Sequence, residues 1–153
     1  MRRIDTGRTR VCCPAVAAAA AVALMALSGC SGSIAKDLLD PVEHARSAVR
    51  SDQLVLDLLA QEQVTTGIAE TVLTTMTDEL ISAEESINST EVSSQTDEPL
   101  RDAALTATRE ATAASVAGRD CLLQDRSCAT AMEELQGSAA ALEEVLDQLE
   151  SIR

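Results

Sequence analysis

Two stretches near the carboxy-terminal end most constrain what this chain can fold into. Leu100, Ala104, Ala107, Ala111, Ala114, Gly118 and Cys121 are separated by alternating steps of four and three residues. Met132, Leu135, Ala139, Leu142, Leu146 and Leu149 repeat the alternation. Side chains at that spacing line one face of an α-helix, and such a seam is stable only when other helices cover it. The first seam is built of mostly small residues and the second of mostly large ones, so the spacing predicts two helices packed closely against each other, small facing large.

The same alternation runs through Ala69, Leu73, Met76, Leu80, Ala83 and Ile87. Val42, Ala45, Val49, Leu56 and Leu59 recur at helical spacing, interrupted by Asp52. The chain has no Phe, Tyr or Trp, so any core is aliphatic; hydrophobic residues at 46% of the sequence argue against wholesale disorder.

Turn chemistry divides these seams. Asp40-Pro41-Val42-Glu43 reads as a helix start, with Asp40 as cap, Pro41 at the first helical position and Glu43 completing a capping box. A single helix over residues 41–88 would be about 72 Å long with nothing later in the chain to match it. Two helices fit better, with the turn near Thr65-Thr66-Gly67, where poor helix formers precede a candidate terminating glycine. Asn88 to Asp97 is polar and aperiodic and leads into Glu98-Pro99, a loop followed by a new helix. The expected fold is all-α, an antiparallel up-down-up-down four-helix bundle over residues 41–153. Its helices fall near 41–64, 67–89, 98–121 and 128–152.

Charge is distributed unevenly. Between Arg50 and Arg101 stand eleven Asp or Glu and no Lys or Arg. Glu70, Asp78, Glu79, Glu84 and Glu85 fall off the seam of their helix and form the candidate partner surface. Such a face keeps a domain soluble; it can also capture a basic partner or loosely held divalent cations. Glu133, Glu134, Glu143, Glu144, Asp147 and Glu150 lie off the last seam and are expected to face water.

The amino-terminal end carries different information. Arg2, Arg3, Arg8 and Arg10 precede an almost unbroken apolar run, Pro14–Leu27, which leads into Leu27-Ser28-Gly29-Cys30. Fourteen helical residues reach about 21 Å, short of the roughly 30 Å hydrocarbon core of a bilayer, so a permanent transmembrane helix is the weaker reading. The order of basic end, apolar run and L-S-G-C resembles bacterial lipoprotein precursors over residues 1–30. The resemblance implies cleavage between Gly29 and Cys30, removal of residues 1–29, and a diacylglycerol thioether with palmitate-type chains on Cys30. Two acyl chains make a stable anchor where one is marginal. It further implies a protein lipid-anchored at the extracytoplasmic face of the cell membrane, with residues 30–40 as lipidated cysteine and tether. Removing four Arg and one Asp with the leader takes the net charge from −13 to −16.

With Cys30 lipidated, Cys121 and Cys128 are the two thiols left in an oxidising compartment, and a disulfide between them is expected in the last helix-helix turn. A zinc site would need two more ligands, and a redox-active pair is more often C-x-x-C at a helix start.

Several chemistries find no foothold. His44, the single histidine, reads as a solvated surface residue. No Glu-x-x-His pair, G-x-S-x-G elbow or phosphate-cradling glycine loop occurs, so no catalytic residues, metal site or cofactor are expected. Nucleic acid is an unsuitable partner for an acidic, aromatic-free domain. The expected function is a membrane-anchored, non-enzymatic interaction module that offers an acidic helical surface to a basic cell-envelope protein. The alternative is a cation-responsive or small-ligand-binding helical carrier.

Overall fold

The computed structural model describes residues 34–124 and 127–152. Gly29 and Cys30, on which the cleavage and lipidation expectations rest, lie outside the described residues, as do the other residues before Ile34. Four helices follow one another: α1 Ile34–Ala60, α2 Thr66–Ser89, α3 Glu98–Leu123 and α4 Ala129–Ile152. Each packs against the next and α1 closes the ring against α4. Of the two diagonals only α1–α3 are in contact among the described residues. This is the expected all-α four-helix bundle.

The division of labour in the core explains the short diagonal. Leu38, Leu73, Leu80, Ile87, Leu135, Leu142 and Leu149 are the large, fully buried side chains, and they come from α1, α2 and α4. All seven seam positions of α3 are buried, but after Leu100 they are alanines, Gly118 and Cys121. A methyl group added at Gly118 would lie 3.3 Å from Leu73 Cδ2 and 3.5 Å from Leu56 Cδ1. The small seam is therefore spent on close approach to α2 and α1, not only on α4 as the sequence pattern predicts. Small residues on one helix let two others come in over it.

The first helix starts earlier than expected. Ile34, Ala35 and Leu38 are buried and continue the seam of Val42, Ala45 and Val49 upstream, so Asp40 and Pro41 lie inside α1 instead of capping it. Pro41 deprives the Asp37 carbonyl of its helical donor, which costs about 3 kcal/mol. Burying Ile34 and Leu38 returns roughly 3–6 kcal/mol between them, which is enough to carry the helix through. Residues 34–40 thus belong to the bundle and not to a tether.

The α1–α2 turn also differs in detail. α1 ends at Ala60, not near 64. Gln63 N donates to Leu58 O at 2.8 Å and Glu62 N to Leu59 O at 2.9 Å, the paired bonds of a Schellman turn. Its left-handed position is taken by Glu62, at φ 59°, not by glycine. Gly67 lies in the first turn of α2, after Thr65, whose Oγ1 accepts from Ile68 N at 3.4 Å.

At the last turn, Cys121 and Cys128 form a disulfide with Cα atoms 5.4 Å apart, linking the end of α3 to the start of α4. Met76 in the α2 seam is half-buried, and Thr77 takes the core-facing place beside it.

Candidate functional site

The five candidate acids all ride on α2, but they do not gather into one patch. Asp78 and Glu85 are exposed and seven residues apart, so they share the face opposite the buried seam. Glu70 is exposed one flank away. Glu79 turns toward α1, where it lines a groove of about 270 Å³ with the exposed His44 and Ser47 and the half-buried Ser51. Glu84 is drawn into the α2–α3 interface: Thr112 Oγ1 donates to its Oε1 at 2.6 Å, and Arg109 Nε stands 3.6 Å from its Oε2.

α2 carries these five acids and no basic residue, and α4 carries six acids and none. All six of the α4 acids are exposed. The basic side chains of the described helices, Lys36, Arg46, Arg50, Arg101, Arg109 and Arg119, all belong to α1 and α3. Cross-helix ion pairs follow from that split. Arg46 and Arg50 of α1 converge on Glu143 of α4, and Arg109 of α3 pairs with Glu84 of α2. Because α2 and α4 sit on opposite corners, the unpaired acids form two separate negative faces.

A third acidic feature is inside. Asp52 is fully buried, at 0% exposure, in the α1 seam between Val49 and Leu56. Neither carboxylate oxygen has a hydrogen-bond partner among the described residues. Beside it stand two buried hydroxyls from other helices, Thr77 of α2 and Ser115 of α3, with Oγ1 and Oγ 2.8 Å apart. Thr77 Oγ1 also lies 2.7 Å from Leu73 O and can donate to it. Burial pushes the Asp52 carboxyl up from 3.8 to about 7, with the Ser115 hydroxyl opposing. Ser115 is near enough to act on the carboxyl, yet its close contact is with Thr77 and its geometry to Asp52 falls short of a hydrogen bond.

In the sequence Asp52 reads only as an interruption, and Thr77 and Ser115 do not stand out. The available signal is a charge in a seam that otherwise holds apolar residues, on a chain where helix surface is plentiful. Nothing in the spacing alone pairs that residue with hydroxyls on two other helices.

A surface groove of about 480 Å³ runs between α3 and α4. Ala103, Ala107 and Ala141 floor it, and Asp102, Glu110 and Glu144 stand around it. Among the described residues no three His, Cys, Asp or Glu side chains converge to hold a metal ion, and no helix is long and apolar enough to cross a membrane. No family model, no curated protein and no solved structure matches the chain.

Proposed function

We propose that the chain is an extracytoplasmic lipoprotein, anchored through acylated Cys30, whose bundle serves as a non-enzymatic docking module for a basic cell-envelope protein. The observation that carries this reading is the confinement of basic side chains to α1 and α3 among the described helices. It leaves α2 and α4 as faces on which carboxylates outnumber available cations. Exposed acids in such an arrangement steer a basic partner and fix its orientation more than they tighten the final complex. The L-S-G-C sequence supports the anchor, and two acyl chains would hold the module at the membrane surface.

The two halves of the reading are tested separately. Palmitate labelling of the full chain is expected to mark it, and Cys30→Ala to abolish the label; a label that survives the substitution overturns the anchor. For docking, crosslinking in intact envelopes is expected to trap a basic protein at low salt and to lose it at high salt. A combined Asp78→Asn, Glu85→Gln variant is expected to reduce the yield. A partner captured equally at both salt concentrations, and equally by the variant, counts against an electrostatic surface.

A further inference from the structure

The buried Asp52 cluster plays no part in that docking reading, and it joins three of the four helices near the middle of the bundle. The geometry points to a proton-operated latch: a protonated Asp52 closes a one-way hydroxyl chain through Ser115 and Thr77 to the Leu73 carbonyl, and loss of that proton reverses the chain and loosens α1.

The two hydroxyls are one hydrogen short of the contacts they can make. Thr77 and Ser115 have one hydroxyl hydrogen each, but Thr77 Oγ1 is in reach of both Leu73 O at 2.7 Å and Ser115 Oγ at 2.8 Å. When Thr77 donates to Leu73 O, Ser115 must donate to Thr77, and the Ser115 oxygen is left only to accept. A carboxylic acid at Asp52, once its side chain turns to bring it within hydrogen-bond distance of Ser115 Oγ, supplies the missing hydrogen, and donors and acceptors then run in one direction from α1 through α3 to α2. A carboxylate at Asp52 has no hydrogen to give. Ser115 must turn its own toward Asp52, Thr77 must turn toward Ser115, and Leu73 O loses its hydroxyl donor. The second arrangement also places a full charge in the core with one donor, where a stable buried carboxylate needs several.

No charge on the surrounding helices relieves this. In register with the cluster, α2 presents Asp78 and Glu79, α3 Glu110 and Arg119, and α4 Glu133 and Glu134. The five acids are exposed and Arg119 is half-exposed. On α1 itself Arg50 is engaged with Glu143, and Asp57 is exposed. Burial and Ser115 are what act on the carboxyl, and they set its proton uptake close to neutral pH. The side of α1 toward α4 is held independently by Gln53, whose Nε2 donates to Leu135 O at 3.0 Å. The change is therefore expected at the α1 contacts with α2 and α3.

Amide hydrogen exchange of the full chain between pH 5 and 8, corrected for the intrinsic pH dependence of exchange, tests the latch. Exchange along the middle of α1 is expected to speed up by about tenfold per pH unit as pH approaches 7, and then to level off. Asp52→Asn is expected to abolish the extra rise, and Asp52→Leu serves the same purpose if the amide variant does not fold. Ser115→Ala removes the one donor to the charged form, so the levelling-off is expected to move to higher pH. A flat wild-type profile, or an unchanged rise in the Asp52 variant, overturns the latch. A Ser115→Ala profile that levels off where the wild type does overturns the hydroxyl chain.

Discussion

Glu85 on the outer side of α2 stands in water, whereas Asp52 on the inner side of α1 is shut into the core. The outer acids of α2 and α4 keep their hydration and interact through a screened medium. Asp52 has given up its hydration and received at most one hydroxyl in return. Glu84 lies between these extremes, with a side chain 23% exposed, one hydroxyl donor and a guanidinium at 3.6 Å. The difference teaches that the count of acids, which dominates the composition, says little about what any one of them does. Depth and the number of donors decide it.

The widest separation between inside and outside acids should appear in stability against pH. The folded-state pKa of Asp52 is raised above its unfolded value, so its contribution is fully present below pH 3.8, falls as pH rises, and is gone above about 7. The change amounts to roughly 4 kcal/mol over that window. Denaturant titrations of the wild type and Asp52→Asn at pH 5 and 8 are expected to show a slope only in the wild type. The variant is expected to be the more stable of the two at pH 8. The comparison breaks if Asp78→Asn with Glu85→Gln removes the slope instead.

Glu84 is expected to give an intermediate effect. Glu84→Ala removes the acceptor of Thr112 and the partner of Arg109, and a loss of about 1 kcal/mol in denaturant unfolding is predicted. In the α1–α2 turn, Glu62 is an exposed acid in an unfavourable backbone conformation at a helix carboxy terminus. Glu62→Gly is expected to raise stability by about 1 kcal/mol, the reverse sign from Glu84→Ala. The smallest effect belongs to the outer pair, Asp78→Asn with Glu85→Gln, at less than about 0.5 kcal/mol.

Some of this is legible in the sequence, and the rest is hidden for physical reasons. Alternating four-and-three steps locate the last three helices and helical spacing the first, and each seam position of α3 is buried as the spacing predicts. The Cys121–Cys128 pairing follows from the expected compartment and is present. The sequence pattern starts α1 too late because Pro41 is a strong local stop signal, while the burial of Ile34 and Leu38 that overrides it depends on helices far along the chain. It also ends α1 too late, because Gly67 suits a left-handed turn that Glu62 adopts. The Asp52 cluster is a tertiary fact: its three members are separated by 25 and 38 residues and meet only when three helices assemble.

The early start of α1 sets a length scale for the anchored form. With acyl chains on Cys30, four residue steps lead to Ile34, a contour of at most about 14 Å, where a helix beginning at Pro41 would have allowed nearly three times as much. On the proposed acylation of Cys30, so short a leash would make the protein a low-standing post and not a float on a line. The proposed docking faces would then sweep only a thin layer above the bilayer, and a partner would have to come to the membrane to be met.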